Sequence, residues 1–211
     1  MPKTAIVIGG SGLIGNLLIQ ALLQDEAYSS VRALVRKPLA IQHPKLTNLV
    51  LRFDDENALQ IALTGDVVFC CVGTTIKKAG SQAAFRAVDK DLPLKCAAVA
   101  HKNGVEHFQL VSAIGAKASS SNFYLRTKGE TEDGLRKIGF ESLYFLRPSL
   151  LLGNRAEVRF GEQLAALFAP LMRIFLPKKY RPVKGATVVR KMIELDKDPQ
   201  LGVHAIEGFD D

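Results

Sequence analysis

Cysteine is scarce in this chain, and its few cysteines are not spaced for a disulfide framework or a metal site. There are 3 cysteines in 211 residues: Cys70 and Cys71 are adjacent in an apolar run, and Cys96 stands alone. An odd count without paired spacing argues against both kinds of site. The 4 histidines form no spaced pair either. We therefore assign no metal and expect the cysteines to be small buried residues in a reducing compartment.

A membrane-spanning run and an export signal are also missing. The most apolar stretch, residues 161–176, is interrupted by Pro170 and Arg173, which makes it a poor membrane span. The apolar run at residues 4–8 ends in glycines instead of a small-residue cleavage site, as expected of a strand. We therefore expect no membrane span, a cytoplasmic location by default, and one domain over residues 1–211.

Acidic residues are outnumbered, with 21 Asp and Glu against 28 Lys and Arg and a formal net charge of +7. A basic protein binds either nucleic acid or a phosphorylated small molecule. The positive charge is scattered, except for a basic cluster at residues 178–184, and such a cluster is more typical of a solvated surface. Nucleic acid is therefore an unfavoured partner.

Strand-like and helical patterns alternate along the chain. Alternation of this kind implies parallel strands joined by right-handed crossovers, so the fold class is α/β, a doubly wound parallel sheet of Rossmann type. The last quarter alternates less cleanly, and we expect residues 153–202 to form a helical cap over the ligand crevice. The predicted strands are 4–8, 31–35, 49–53, 66–73, 108–112, 142–146 and 203–206, and the predicted helices are 13–24, 58–63, 81–103, 122–138, 161–175 and 186–195.

A glycine-rich loop follows the first predicted strand and leads into the first helix. Its residues are Gly9, Gly10, Ser11, Gly12, Leu13, Ile14 and Gly15. In this context the glycines permit a tight turn and a close approach of the backbone to a pyrophosphate, which the helix N-terminus would hold. The alternative is a glycine turn without a ligand, but a plain turn does not need three glycines at these intervals. The loop predicts a dinucleotide site.

The end of the second strand normally selects the cofactor. An acidic residue there binds the ribose of NAD, whereas a guanidinium pairs with the 2′-phosphate of NADP. This chain has Arg36 and Lys37 and no acidic residue between Val31 and Pro38. We therefore favour NADP(H) over NAD(H), the alternative being that both cations are ordinary surface residues.

Polar residues also end the third and fourth strands. Either Asp54 or Asp55 could accept a hydrogen bond from the adenine amino group, or could instead cap the next helix. Gly73, Thr74 and Thr75 end the fourth strand, where their backbone and hydroxyls are expected to contact the cofactor ribose.

A tyrosine and a lysine stand four residues apart at the start of the predicted helix 122–138. On a helix, Tyr124 and Lys128 would share one face. A lysine cation favours the phenolate, so Tyr124 could exchange a proton with a substrate oxygen. Tyr180 and Lys184 have the same spacing, but Pro182 between them disfavours a helix. The alternative for the first pair is an exposed tyrosine beside a solvated lysine.

With these motifs in order, the chain resembles the atypical short-chain dehydrogenase/reductase superfamily, in the branch of Tat-interactive-protein-like oxidoreductases. The stretches that carry the closer likeness lie between about residue 5 and Glu162 and are 69–75, 78–80, 88–91, 119–122 and Arg147-Pro148. The resemblance implies an NADP-binding Rossmann fold with Arg36 near the 2′-phosphate. It also implies Tyr124 as general acid/base and Lys128 as its partner on the ribose.

The same resemblance places Arg147 and Pro148 near the nicotinamide and a catalytic serine at the end of the fifth strand. Ser112 is the candidate, but Ala113 follows it where the superfamily often has a second serine. One of the serines at 119–121 could substitute. This departure bears on turnover more than on cofactor binding.

Two functions follow from these observations. The first is an NADP(H)-dependent oxidoreductase acting on a carbonyl or an alcohol of unknown identity. The second is a catalytically weak, NADP(H)-sensing regulatory protein that binds a protein partner. Ala113 and the apolar stretch 161–176 favour the second. That stretch could also be a membrane-surface helix, but packing on the sheet or a homodimer contact is preferred, because Pro170 breaks its helical stripe.

Overall fold

The computed structural model describes residues 2–152 and 177–209. Seven parallel strands form the main sheet in the order β3-β2-β1-β4-β5-β6-β9, and β7 pairs with β8 in a separate two-stranded sheet. The strands are β1 Lys3–Ile8, β2 Tyr28–Val35, β3 Leu46–Val50, β4 Val67–Cys70, β5 His107–Val111, β6 Ser142–Leu146, β7 Leu151–Leu152, β8 Val183–Lys184 and β9 Gly202–Ile206. The predicted doubly wound sheet is confirmed, and its strand order reverses between β1 and β4.

Helices cover both faces of this sheet. They are α1 Leu13–Gln24, α2 Glu56–Ala62, α3 Ile76–Ala79, α4 Gln82–Arg86, α5 Leu92–Lys102, α6 Phe123–Arg136 and α7 Gly185–Lys197. Successive residues of β1 point to opposite faces, so Val7 packs with α1 and α7 while Ile8 packs with α2, α5 and α6. Central strands are therefore apolar on both faces, as expected of a parallel sheet. No helix in the described ranges is long and apolar enough to cross a membrane.

Several predicted elements differ in their bounds from the observed ones, the third strand most clearly. The third strand was expected at 49–53 but is Leu46–Val50, because this edge strand contains polar Thr47 and Asn48 and does not read as an apolar run. The short helix α3 and the β7–β8 pair were not predicted. The predicted helix 161–175 lies outside the described residues, as does the part of the predicted cap before residue 177. The described helix of that region, α7, packs beside α1.

The predicted helix 81–103 is interrupted by a π-helical turn at Ala87–Asp91, which separates α4 from α5. Pro93 has no N–H group and therefore cannot donate to the carbonyl of Asp89, its acceptor in an α-helix. The Thr131 hydroxyl of α6 lies 3.0 Å from that carbonyl and 2.8 Å from the carbonyl of Thr127, so its one proton is shared between the two acceptors. The irregular turn thus contacts α6 directly, and the Asp89 side chain pairs with Lys128 of that helix. This agrees with the frequent occurrence of π-turns at functional sites.

Candidate cofactor and catalytic site

The glycine loop connects β1 to α1 at the switch point of the sheet. Gly9 has a φ of +88°, and a Cβ on it would lie 2.7 Å from the Val72 nitrogen. A Cβ on Gly15 would lie 2.3 Å from the Gly9 oxygen. Side chains are therefore excluded at both positions by backbone atoms. The Gly12 N–H closes the turn by donating to the Gly9 oxygen at 3.0 Å.

The N-terminus of α1 is open on the crevice side. Gly12 caps the helix without a side-chain hydrogen bond, and the first turn has no acidic residue. A Cβ on Gly12 would meet only the Gly9 oxygen, at 3.4 Å, so the space beside this exposed glycine is free for a ligand. Ser11 is exposed next to it. Uncapped N–H groups with a positive helix dipole fit the pyrophosphate of a dinucleotide.

Two basic residues follow the carboxyl end of β2. Arg36 and Lys37 follow β2 directly, and both are exposed. Neither forms a hydrogen bond or an ion pair with another described residue, so both are available to an anionic ligand.

The two aspartates after β3 have different roles. Asp55 accepts a hydrogen bond from the Ala58 N–H at 3.0 Å and caps α2. Asp54 is exposed and pairs with Arg52 through two contacts, of 2.7 and 3.1 Å. The hydrogen bond from Arg52 holds the pKa of Asp54 below its usual value. Of the two sequence alternatives, Asp55 takes the capping role, and the contact of Asp54 with adenine stays a prediction.

A buried ion pair lies behind the end of β4. Lys128 Nζ is 2.8 Å from Asp89 Oδ1, and the two side chains are only 3% and 1% exposed. The second oxygen of Asp89 accepts the Thr74 N–H at 2.8 Å. Burial alone would lower the pKa of Lys128, but the negative charge of Asp89 and its hydrogen bond outweigh burial and raise it. Lys128 is therefore a fixed cation at the edge of the crevice.

Tyr124 lies one helical turn before Lys128 on α6 and is half-buried. Its ring packs on Phe85 of α4, with 5.8 Å between the ring centroids. Residues four apart share a helix face, so the phenol and the lysine lie side by side as expected. Tyr180 and Lys184, the other pair with this spacing, lie in a 3₁₀ turn and in β8.

Ser112 directly follows β5, and its hydroxyl is engaged by a buried carboxylate. It donates to Glu132 Oε1 at 2.5 Å, and Glu132 also binds Arg147 through contacts of 3.0 and 2.5 Å. Arg147 reaches Glu207 after β9 at 3.0 Å. The hydrogen bonds that Arg147 donates to Glu132 raise the pKa of Arg147, so this chain of charges ties β5, α6, β6 and β9 together.

The remaining predicted residues lie near these groups. Ala113 is buried and has no hydroxyl to offer. The Pro148 carbonyl accepts the Ile114 N–H at 3.0 Å, which holds the strand ends of β5 and β6 together. Ser120 and Ser121 precede α6, and their carbonyls accept hydrogen bonds from Arg126 at 2.8 and 3.0 Å. Thr75 caps α3 by accepting the Lys78 N–H at 3.1 Å.

Two buried acids of the site were not predicted from the sequence. For Asp89 the indication in the sequence is Pro93. Since proline has no N–H, it leaves the backbone carbonyl four residues earlier without its α-helical hydrogen bond, and Asp89 is that residue. Glu132 also had an indication, because it continues the spacing of four from Tyr124 through Lys128. Neither indication identifies a site residue unless it is also known which face of each helix packs on the sheet.

The chain matches the family described as NAD(P)H-binding over residues 9–163. It is 37% identical over 204 residues to Protein HTATIP2 of Rattus norvegicus, covering 95% of this chain and 84% of that protein. It is 35% identical over 160 residues to the mitochondrial Protein FMP52 of Candida albicans, covering 73% and 69%.

A solved structure of a short-chain dehydrogenase/reductase superfamily protein from Agrobacterium tumefaciens with bound NAD has a TM-score of 0.73 to this chain. It is 15% identical, and the match covers 97% of this chain and 77% of that one. This likeness supports the fold alone. The chain therefore belongs to the NAD(P)H-binding family, as a homologue of HTATIP2 with a Rossmann fold.

Proposed function

We propose that this protein is an NADP(H)-dependent oxidoreductase that acts on a carbonyl or an alcohol. The observation that carries the proposal is the buried cation of Lys128, which lies one helical turn from Tyr124 and behind Gly73 at the end of β4. The open N-terminus of α1 supports a dinucleotide at the same edge of the sheet. A cytoplasmic location and a homodimer remain predictions from the sequence.

Each part of the site has a role in this proposal. The glycine loop and the α1 N-terminus hold the pyrophosphate, and Arg36 with Lys37 binds the 2′-phosphate. The cofactor, when bound, supplies or accepts a hydride. Tyr124 holds the proton that the substrate oxygen gains or loses. Lys128 orients the nicotinamide ribose.

Ser112 acts differently from a substrate-contacting serine. Its hydroxyl donates a hydrogen bond to Glu132. We therefore assign Ser112 a positioning role, which acts through Glu132 on Arg147. Gly73, Thr74 and Thr75 line the crevice beside the ribose, and Thr74 is held there by Asp89.

The cofactor preference is tested by measuring the affinities of NADPH and NADH for the wild type and for Arg36→Ala. We expect the variant to lose about tenfold or more in NADPH affinity, because a guanidinium–phosphate pair contributes at least 1.4 kcal/mol. The affinity for NADH should stay unchanged, since it has no 2′-phosphate. Equal binding of NADH and NADPH by the wild type, with no effect of the substitution, would contradict the assignment.

The proton-transfer role is tested with Tyr124→Phe and with Tyr180→Phe as a matched control. Tyr180 has the same spacing to a lysine but lies in a 3₁₀ turn. Across a panel of carbonyl substrates, Tyr124→Phe should lose about 10²- to 10⁴-fold in NADPH-dependent reduction while it retains NADPH binding. Tyr180→Phe should match the wild type. Unchanged reduction by Tyr124→Phe would refute the catalytic role.

A second function, a catalytically weak NADP(H)-sensing regulator, is favoured by one observation. The hydroxyl of Ser112 is engaged by Glu132, and the next residue, Ala113, has none. NADP(H) binding without turnover, together with a partner protein bound in only one redox state of the cofactor, would support this function over the first.

A further inference from the structure

The carboxylate of Asp89 lies directly behind the crevice wall. A Cβ placed on Gly73 would be 3.5 Å from Asp89 Oδ1 and 3.8 Å from Lys128 Nζ. Gly73 is exposed and has no side chain, so its backbone lies between the ion pair and the crevice. The ionisable groups that act on Lys128 are Asp89, Tyr124 and Cys70. Asp89 is the carboxylate among them.

The topology places this pair beside the nicotinamide half of a bound dinucleotide. The sheet runs in the order β2-β1-β4-β5. If Arg36 after β2 holds the adenosine 2′-phosphate and the loop after β1 holds the pyrophosphate, the second nucleoside extends over β4. Gly73 and Thr74 follow β4, and Asp89 lies behind them.

We propose that Asp89 sets the redox-state selectivity of the site: by neutralising Lys128, it allows the oxidised cofactor NADP⁺ to bind without the repulsion that an unpaired lysine would exert. This inference rests on the dinucleotide-binding part of the proposed function. The two cofactors share every phosphate and differ by one positive charge on the nicotinamide ring. The ion pair carries no net charge, whereas a neutral residue in place of Asp89 would leave Lys128 to repel the charge of NADP⁺.

A charge at this position has no evident structural necessity. Asparagine has the shape of aspartate but offers one acceptor oxygen where Asp89 uses two, so it loses the hydrogen bond to Thr74 or the contact with Lys128. The Thr131 hydroxyl contacts the backbone carbonyl of Asp89, which the substitution leaves in place. Burying two charges carries a desolvation penalty that an uncharged pair would avoid. Asp89→Asn therefore removes the charge at nearly constant volume, and the lost hydrogen bond affects the binding of both cofactors, so the ratio of the two affinities reports the charge.

The experiment measures the dissociation constants of NADP⁺ and NADPH by calorimetry for the wild type, Asp89→Asn and Glu130→Gln. Glu130 is a matched control: it lies on the same helix as Lys128, and its carboxylate pairs with Arg86 and Lys90 away from Lys128. Once its partner is neutral, burial lowers the pKa of Lys128, so the measurements are made at low pH, about 6, to favour the protonated amine.

Asp89→Asn should lower the preference for NADP⁺ relative to NADPH on the order of tenfold, the effect of a unit charge acting over about 10 Å at an effective dielectric near 20. Glu130→Gln should leave the preference unchanged. A preference in Asp89→Asn within about twofold of the wild type, or an equal shift in Glu130→Gln, would overturn the inference.

A second variant tests the sign of the effect of charge on the cofactor preference, and it replaces the first test if Asp89→Asn does not fold. Lys128→Met leaves the carboxylate uncompensated, so the preference for NADP⁺ should rise at about pH 8, even if both affinities weaken. A fall or no change in that preference contradicts the inference. If the wild type binds neither cofactor, the proposed function itself fails, whereas binding with an unaltered preference in the variants overturns only the role of Asp89.

Discussion

Replacing Asp196 with asparagine should destabilise the protein without touching the cofactor site. Asp196 lies at the end of α7, at the amino-terminal edge of the sheet, and its side chain is fully buried. It accepts hydrogen bonds from the Tyr28 hydroxyl at 2.7 Å and from Lys3 Nζ at 3.1 Å, and His107 Nδ1 is 3.7 Å away. One carboxylate thus binds α7 to the first residues of β1, β2 and β5.

The expected loss follows from these partners. Removing one member of a buried charged pair costs about 3–5 kcal/mol. Asparagine keeps one oxygen for Tyr28, and Lys3 is 28% exposed and can turn to solvent, so the lower end, about 3 kcal/mol, applies. For a chain of this size, that corresponds to a fall of roughly 6–12 °C in Tm. Urea and thermal unfolding at pH 7 measure both quantities.

The control is Asp54→Asn, which removes an exposed aspartate that is also paired with a cation. It should leave the midpoints unchanged, because water screens that pair. If Asp196→Asn costs less than about 1 kcal/mol, or if the control costs as much, the carboxylate does not hold α7 on the sheet as described.

The effect should also depend on pH. Burial raises the pKa of Asp196, but the nearby His107 and the hydrogen bonds from Tyr28 and Lys3 outweigh burial, and the folded-state pKa is lowered. Its stabilisation is therefore fully present above the unfolded value of about 3.9 and is lost as the pH falls through the lower folded value. The difference in unfolding free energy between the wild type and Asp196→Asn should be constant from pH 7 to about 5 and shrink below about 4. A difference that is the same at pH 3 as at pH 7 would refute this.

Three further outcomes are expected. Gly12→Ala should fold normally, because its Cβ meets only the Gly9 oxygen at 3.4 Å, yet should lose dinucleotide affinity in a fluorescence titration. Glu132→Gln should cost about 3–5 kcal/mol in urea unfolding, because it leaves the contacts of Arg147 at 2.5 and 3.0 Å without a charge. Burial and the nearby carboxylate of Asp196 raise the pKa of Tyr28 strongly, so in alkaline absorbance titration this phenol should ionise only as the protein unfolds.

Most of the fold could be predicted from the sequence because its strands are local apolar runs and its first turn is a local glycine pattern. The bounds of α1 and β6 agree with the prediction residue for residue. The sequence did not predict elements whose bounds or geometry depend on contacts with residues far away in the chain. The edge strand β3 contains polar residues, and the turn at Ala87–Asp91 depends on a hydroxyl from α6.

The same distinction explains what the sequence could say about the site. Tyr124 and Lys128 belong to one helix, so their spacing was enough to place them side by side. Whether Lys128 is a free cation or a paired one depends on Asp89, 39 residues earlier in the chain, and whether Ser112 can face a substrate depends on Glu132. Local patterns identify which side chains reach the crevice, but the charges and hydroxyls they present there are set by partners from other elements. The chemistry of this site therefore depends on Asp89 and Glu132 as much as on the residues of its motifs.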